Sequence, residues 1–176
     1  MRVVAGRLGG RRLRAPAGDA TRPTADRVRE AVFSILGDVS GARVLDLYAG
    51  SGALGIEALS RGAAGAEFVD SGRRAVEAIR RNLAALEIEA PVHRRDALTW
   101  LAAAGGSRSY DLVFCDPPYD SALRLAPALS ERLPAVLSEF ARIVTESDKH
   151  SPLELAFPLV RERTYGDTRI AIHLGG

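Results

Sequence analysis

The sequence predicts an α/β fold, with a doubly wound and mostly parallel sheet that ends in an antiparallel C-terminal hairpin. Short apolar segments alternate with amphipathic ones along most of the chain, and crossover helices between parallel strands produce that alternation. The C-terminal segment differs, because two strand-like runs flank Gly166-Asp167 with no helical pattern between them. The chain has 176 residues, of which 47% are hydrophobic, so we expect one packed domain.

The individual elements are predicted from local periodicity. Helices are expected where apolar residues recur every three or four positions, at residues 24–36, 53–60, 73–86, 97–103 and from about 122 to 140, where Pro127 and Pro134 are candidate breaks. Strands are expected in short apolar runs bounded by turn residues, at residues 43–48, 66–70, 91–94, 110–115 and 142–146. The terminal hairpin is predicted at residues 160–165 and 168–173.

A short basic N-terminal arm, residues 1–23, precedes the predicted α/β domain of residues 24–176. Two short strands, at residues 2–5 and 11–15, suggest a small hairpin around Gly9-Gly10. Residues 1–30 contain eight arginines and three acidic residues, although the formal net charge of the chain is only +2. This clustering predicts contact with nucleic-acid phosphates, with a merely solvated charged surface as the alternative. The arginines predicted to make it are Arg7, Arg11, Arg12, Arg22, Arg27 and Arg29.

Composition excludes several classes of protein. No apolar run approaches the ~20 residues of a membrane span, and arginines at positions 11, 12 and 14 interrupt the start too early for a signal peptide. The single cysteine, Cys115, excludes an internal disulfide framework and a cysteine-built zinc site. His93, His150 and His173 lack ligand spacing, so no metal is expected. A cytoplasmic protein is the simplest interpretation.

Glycines after the first predicted strand indicate a nucleoside-binding loop. Gly50, Gly52 and Gly55 fit G-x-G-x-x-G between a strand and a helix, where residues without side chains allow close backbone approach. Asp70 ends the next strand, where its carboxylate can accept both ribose hydroxyls. Asp46 precedes the glycines and can reach a cationic amino group. A carboxylate suits an ammonium better than a pyrophosphate, which favours S-adenosylmethionine over NAD. A tight turn without a ligand is the alternative.

The second candidate loop is Asp116-Pro117-Pro118-Tyr119, directly after the predicted strand at residues 110–115. In a parallel sheet it lies at the same edge as the glycine loop. The Asp116 carboxylate and the Pro117 carbonyl could hold the N–H groups of an exocyclic amine and align its lone pair with a methyl donor. Tyr119 could stack on a splayed base. An ordinary proline turn is the alternative interpretation.

These motifs carry a family resemblance. DLYAGSGALGIEALSRGA together with DPPY resembles the Rossmann-like class I S-adenosylmethionine-dependent methyltransferases that act on exocyclic amines. More narrowly, RVVAGRLGGRRL, RPTADRVREAVFSIL and RERTYGDTRI resemble the RsmD family, which methylates guanine N2 in 16S ribosomal RNA. The resemblance implies S-adenosylmethionine as cofactor. It also implies 16S rRNA as partner, either naked or within an assembling small ribosomal subunit, with no membrane and no metal.

The resemblance also implies roles for individual residues. The cofactor-binding residues it implies are Asp46, Tyr48, Gly50, Ser51, Gly52, Asp70, Asp96 and Ala97, with Asp96 facing the adenine. The residues it implies for holding the target base are Asp116, Pro117, Pro118 and Tyr119. The residues placed at the lip of the active site are Arg22, Thr24, Asp26 and Arg29. The family often has a second acidic residue two positions after the ribose-binding one, and Gly72 occupies that position here.

Two other functions remain open from the sequence. An adenine-N6 DNA methyltransferase would share the second loop, although asparagine is frequent where Asp116 stands and such enzymes are usually longer. A non-catalytic RNA-binding module on the same fold is the other alternative, and the intact glycine loop and DPPY loop argue against it. Cys115 is interpreted as a buried strand end rather than a nucleophile, and Trp100 as packing.

Overall fold

The computed structural model describes residues 1–16, 26–104, 109–118 and 121–175. The helices are α1 (Asp26–Leu36), α2 (Ala53–Ser60), α3 (Arg73–Ala85), α4 (Ala97–Ala104) and α5 (Ala122–Arg132). The strands are β1 (Arg43–Leu47), β2 (Gly65–Asp70), β3 (Val92–Arg94), β4 (Tyr110–Cys115), β5 (Leu137–Asp148), β6 (Leu159–Tyr165) and β7 (Thr168–Leu174).

The seven strands form one sheet in the order β3-β2-β1-β4-β5-β7-β6. The first five strands in the chain pair in parallel, and β7 pairs antiparallel with both β5 and β6. The order reverses between β1 and β4, which is the place where open α/β sheets bind ligands. The predicted fold class is confirmed, including the antiparallel C-terminal hairpin.

The largest difference from the predicted elements is at the fifth strand. Residues 137–140 were expected to be helical, but β5 begins at Leu137. The helical segment ends in a 3₁₀ turn, Leu133–Val136, that contains Pro134. Proline has no N–H to continue an α-helical ladder, so the chain leaves the helix there. The N-terminal hairpin is also smaller than expected, because Arg2 and Arg12 form a single isolated bridge.

Two hydrophobic clusters cover the two faces of the sheet. Helices α1, α2 and α3 contribute to the cluster on one face, which we call the first face, together with Phe68, Phe114 and Ile170. Helices α4 and α5 contribute to the cluster on the opposite face, together with Val113 and Ile143. Alternate residues of β4 therefore enter opposite clusters, as the two-residue period of a strand requires.

The N-terminal hairpin packs on the α/β body. Val3, Leu8 and Leu13 are buried in the same cluster as helices α1 to α3. Gly6 has a φ of +80°, and a Cβ added there would lie 1.9 Å from the backbone oxygen of Ser60 at the end of α2. Only glycine allows this approach, so the hairpin is fixed against α2. The proposed domain boundary at residue 23 lies outside the described residues.

Neither a membrane span nor a metal centre is found within the described ranges. The longest described helix, α3, has 13 residues, and none is both long and apolar enough to cross a bilayer. In the same ranges, no group of three or more His, Cys, Asp and Glu side chains could hold a metal ion.

Candidate active site

The two predicted loops leave the sheet at the same edge. Strands β1 and β4 are parallel neighbours, and Leu47 at the end of β1 lies level with Cys115 at the end of β4. The glycine loop follows Leu47, and the Asp116-Pro117-Pro118 turn follows Cys115. The expectation that the two loops meet at one edge is confirmed.

The glycine loop has a conformation that requires residues without side chains. Gly50 and Gly52 have φ angles of +57° and +77°, a region that L-residues rarely adopt. Tyr48 shares this region with a φ of +58°, which is strained for an aromatic residue. Gly55 serves packing instead, because a Cβ there would lie 2.4 Å from Cε1 of Phe68. Helix α2 can therefore lie directly against β2.

Asp70 joins the two loops that follow β1 and β2. Its Oδ2 atom accepts a hydrogen bond of 2.9 Å from the N–H of Gly50, and its Oδ1 atom accepts one of 2.7 Å from the N–H of Gly72. Gly72 thus supplies a backbone donor at the position where the family often has an acid. Each carboxylate oxygen keeps a second acceptor site, which suits a pair of ribose hydroxyls.

Asp46 is a buried carboxyl at the end of β1. Its Oδ2 atom accepts a hydrogen bond of 2.9 Å from the N–H of Gly55. Burial raises the pKa of Asp46 to about 8, the negative charge of Asp70 adds to this, and the Gly55 hydrogen bond opposes it. An ammonium group placed beside Asp46 would favour its charged form.

Tyr48 belongs to the glycine loop, and Asp96 lies between β3 and α4. The Tyr48 hydroxyl is buried and has no hydrogen-bond partner among the described residues. Burial raises the pKa of Tyr48, and the charges of Cys115 and Asp96 raise it further. The Oδ1 atom of Asp96 accepts hydrogen bonds of 2.9 Å from both the N–H and the Oγ1 of Thr99. Asp96 thereby caps the N-terminus of α4. Ala97 is buried as the first residue of that helix.

Asp116 has an acidic neighbour that the sequence analysis missed. Thr145 of β5 lies level with Cys115, so Glu146 follows on β5 where Asp116 follows β4. Desolvation raises the pKa of Asp116 well above its usual range, and the negative charges of Glu146 and Asp46 raise it further. Glu146 follows a buried run, as Asp70 and Asp116 do, and that pattern could have identified it.

The two prolines have different surroundings. Pro117 is buried and Pro118 is exposed. The Pro118 carbonyl accepts hydrogen bonds from the N–H of Ser121 at 3.0 Å and from its Oγ at 2.7 Å, which leads the chain into α5. Tyr119, predicted to stack on a base, lies outside the described residues.

The donors and acceptors of the glycine loop fit S-adenosylmethionine. A Cβ added at Gly50 would have one neighbour within 4 Å, the backbone carbonyl oxygen of Tyr48 at 3.9 Å, so the backbone is open to a ligand there. Residues 46–55 contain no arginine or lysine that could neutralise a pyrophosphate. The acidic groups nearby, Asp46 and Asp70, match the ammonium and the ribose of this cofactor instead.

A family model described as "Conserved hypothetical protein 95" matches residues 1–174. The chain belongs to this family. A Bacillus subtilis protein named "Putative rRNA methyltransferase YlbH" is 43% identical over 181 residues, covering 98% of each chain. "Ribosomal RNA small subunit methyltransferase D" of Haemophilus influenzae is 32% identical over 178 residues, covering 94% of this chain and 89% of its own length.

A solved structure supports the same assignment. The structure named "Putative methyltransferase yhhF from Escherichia coli" matches with a TM-score of 0.84 at 35% identity, covering 99% of this chain and 97% of that one. The resemblance to the RsmD family, drawn above from short motifs, is therefore confirmed over nearly the whole chain.

The prediction that Arg29 contacts RNA is wrong. Arg29 is fully buried, and its Nη2 atom lies 2.8 Å from Asp26 while its Nε atom lies 3.6 Å from Glu57. The helical period places position 29 on the same side of α1 as Val32, Phe33 and Leu36, which are also buried. Arg29 thus stabilises the packing of α1 and is not available to RNA.

The other predicted arginines remain available where they are described. Arg7, Arg11, Arg12 and Arg27 are exposed, and Arg22 and Thr24 lie outside the described residues. The Nη2 atom of Arg11 donates a hydrogen bond of 2.7 Å to the Ala85 carbonyl at the end of α3. The hairpin therefore presents its arginines from the surface of α2 and α3.

Asn82, which the sequence analysis missed, connects this hairpin to the glycine loop. Its Nδ2 atom donates to the carbonyls of Ser51 at 2.9 Å and Arg14 at 3.0 Å, and its Oδ1 atom accepts from the Arg14 N–H at 2.8 Å. In addition, the Ser51 hydroxyl donates to the sulfur of Met1 at 3.7 Å. The family's N-terminal segment thus supports the loop predicted to bind the cofactor.

Proposed function

We propose that this protein transfers a methyl group from S-adenosylmethionine to the exocyclic N2 amine of a guanine in 16S ribosomal RNA. The observation that carries the proposal is the adjacent placement of two loops, one with Asp70 bonded to Gly50 and the other with Asp116. The name of the Bacillus subtilis relative supports methylation of rRNA, and that of the Haemophilus influenzae relative supports the small subunit. The choice of guanine N2 is supported by the motif resemblance alone. We place the activity in the cytoplasm, on naked rRNA or on an assembling small subunit.

The residues on the cofactor side of the site bind and orient S-adenosylmethionine. S-adenosylmethionine supplies a methyl group made electrophilic by a sulfonium centre. The Asp70 carboxylate, already fixed by two N–H groups, accepts the ribose hydroxyls. Asp46 would serve as the counter-ion of the ammonium group, and Asp96 and Tyr48 would hold the adenine. Gly50 and Gly52 allow the backbone to approach the nucleoside without steric conflict.

The acceptor side activates a weak nucleophile. The lone pair of an exocyclic amine is delocalised into the ring, so the amine reacts only when its geometry is changed. Ionised Asp116 accepts one N–H of the amine and the Pro117 carbonyl accepts the other, which favours a pyramidal nitrogen. A new N–C bond forms as the S–C bond breaks, and the nitrogen then loses one proton. Asp116 and Glu146, as neighbouring carboxyls, can hold that proton.

The experiment is transfer of tritiated methyl groups to 16S rRNA from a strain that lacks the modification, followed by nucleoside analysis. The expected product is N2-methylguanosine. Methylated adenine in DNA and none in rRNA would establish the DNA methyltransferase alternative. Failure of S-adenosylhomocysteine to release or absorb heat on mixing, together with RNA binding, would indicate the non-catalytic module. Parallel reactions on naked rRNA and on small-subunit particles identify the preferred substrate.

A further inference from the structure

The edge strand of the sheet, β6, carries two arginines. The register of β6 with β7 determines which face of the sheet they lie on. Arg161 lies opposite Ile172, and Arg163 lies opposite Ile170. Directly opposed residues in an antiparallel pair project from the same face of a sheet. Ile170 and Ile172 are buried in the cluster of the first face. Arg161 and Arg163 therefore lie on the first face, and both are exposed.

The positive charge of these arginines is not compensated by the described part of the chain. Neither has an ion pair with a described residue, and the Nη1 atom of Arg163 donates only to the carbonyl of Glu162, at 3.0 Å. Glu162, opposite Ala171, lies on the other face, where it forms an ion pair of 2.6 Å with Arg169. The first face of β6 thus presents two cations without a neighbouring anion.

Register also places Arg163 at the level of the proposed methyl-transfer site. Glu146, which neighbours Asp116, lies opposite Ile170, and Ile170 lies opposite Arg163. These residues form one row across β5, β7 and β6 at the carboxyl edge of β4. Neighbouring strands are about 4.8 Å apart, so three intervals separate Asp116 from Arg163 by about 14 Å. That distance is within reach of the nucleotides that flank a base held at Asp116.

The N-terminal hairpin lies at the other side of this site. It packs on α2 and α3, which cover β1, β2 and β3, and Arg2 also contacts Asp26 of α1, whereas β6 forms the opposite end of the sheet. A polynucleotide with its target base at the β1/β4 edge leaves the site in two directions. The hairpin arginines lie along one direction, and Arg161 and Arg163 lie along the other.

We propose that Arg161 and Arg163 bind backbone phosphates of the substrate RNA, as a second surface on the side of the site away from the N-terminal hairpin. This inference rests on the proposed function, since it assigns the path of the same substrate. The planar guanidinium group forms paired hydrogen bonds with phosphate oxygens, which suits this role. The competing explanation is that charged side chains on an edge strand serve only to prevent pairing with another sheet.

The test compares two substitutions that change net charge equally on opposite faces of β6. Arg163→Gln removes one positive charge from the first face. Thr164→Glu, the matched control, adds one negative charge on the face of Glu162. The affinity of both variants and of the double variant R161Q/R163Q for an unmodified 16S rRNA transcript is measured in a salt series. S-adenosylhomocysteine affinity and thermal unfolding serve as checks on folding.

We expect Arg163→Gln to weaken RNA binding by about fivefold to tenfold at low salt, the size of one charge-assisted contact at an exposed site. The slope of log affinity against log salt should fall by about one per arginine. KM for the RNA should rise while kcat and cofactor affinity stay unchanged. Thr164→Glu should change RNA affinity by less than about twofold, because screening limits its effect through the sheet.

Three results would overturn the inference. The first is wild-type affinity and salt slope in the double variant. The second is an equal loss in Thr164→Glu, which would indicate a general charge effect. The third is a loss only on small-subunit particles and not on naked rRNA, which would assign the surface to a protein partner. Since RNA binding is measured without turnover, failure of the wild-type protein to methylate rRNA would count against the proposed function alone.

Discussion

The Asp70 carboxylate accepts a hydrogen bond of 2.9 Å from the Gly50 N–H, although the two residues are 20 positions apart. This contact links the ends of β1 and β2 before any ligand is considered. The residue proposed to bind the ribose therefore also sets the shape of the glycine loop.

Substitution of Asp70 tests this double role. An amide has one oxygen, so Asp70→Asn leaves either the Gly50 or the Gly72 N–H without its acceptor and removes the negative charge. We expect S-adenosylhomocysteine to bind about 10- to 100-fold more weakly, which corresponds to about 1–3 kcal/mol. Titration calorimetry measures this. Asp38→Asn is the control, because Asp38 also accepts a backbone N–H, that of Ser40, but lies away from the site. Equal affinity in both variants would remove Asp70 from the cofactor site.

Asp116 and Glu146 predict a pH dependence of methyl transfer. The amine needs an ionised acceptor, and the pKa of Asp116 is raised first by desolvation and then by Glu146. Activity should therefore increase as pH rises through the raised pKa. Glu146→Gln removes a like charge, lowers the pKa of Asp116 and should move this rise to lower pH. Profiles of kcat against pH measure the shift, and a shift to higher pH would contradict the assignment.

Asp116→Ala should reduce kcat by about 10²–10³-fold, since it removes the group proposed to orient the amine. Cofactor affinity should stay within about threefold of the wild-type value, because the contacts of Asp70 and Gly50 are intact. Rapid-quench assays and calorimetry separate the two effects. Parallel losses of turnover and cofactor affinity would show that Asp116 supports the fold rather than the reaction.

Asp46 predicts a pH dependence of stability. Its folded-state pKa of about 8 exceeds the ordinary value of 3.8, so the folded protein retains a proton that the unfolded chain releases. The free energy of unfolding should therefore fall as pH rises from about 4 to about 8, by at most about 1.4 kcal/mol per pH unit from this group. The difference between wild type and Asp46→Asn in urea melts isolates this contribution. A difference that does not vary with pH would contradict the raised pKa.

Gly55 should not tolerate a methyl group. A Cβ there would lie 2.4 Å from Phe68, between α2 and β2, and overpacking of this kind costs about 1–3 kcal/mol. Gly65→Ala is the matched control, because a Cβ at Gly65 meets nothing within 4 Å. Chemical denaturation of both variants gives the comparison. Equal stability would mean that Phe68 moves aside at little cost.

The parts of the candidate site that depend on short stretches of sequence could be predicted from the sequence. The glycine loop, Asp70 and Asp116 were predicted because each lies where a strand ends, and the parallel order of the strands then brings them to one edge. Short motifs gave the RsmD resemblance, which the family match confirms, while the roles of single residues stay proposals. The strand-to-helix alternation predicted the fold, except where Pro134 moved the start of β5.

The residues that were missed or wrongly assigned depend on contacts between distant segments. Glu146 gains its role from the register of β5 against β4, and Asn82 from the docking of the N-terminal hairpin. Arg29 was assigned to RNA from the charge pattern, but its side chain meets Glu57, which is 28 positions away in the sequence. Clusters of like residues in a sequence do not distinguish an exposed arginine from one with a buried counter-ion.

Glu57 provides the last prediction, because it joins three segments from a buried position in α2. Its carboxylate accepts the N–H groups of Val4 at 2.7 Å and Ala5 at 3.0 Å, and it pairs with Arg29 and Arg61. Glu57→Ala should cost about 3–5 kcal/mol, since it leaves the Val4 and Ala5 N–H groups without their acceptor and removes one of the two anions beside buried Arg29.

The backbone amides of the N-terminal hairpin should also lose protection from hydrogen exchange in Glu57→Ala. Faster hydrogen exchange at the Val4 and Ala5 amides would show the release, because Glu57 is their acceptor. The control is Glu77→Ala, which removes an exposed partner of Arg73 at 3.7 Å and should change stability by less than about 0.5 kcal/mol. If exchange at Val4 and Ala5 is unchanged in Glu57→Ala, the hairpin is held by its apolar contacts through Val3, and the carboxylate contributes little to its docking.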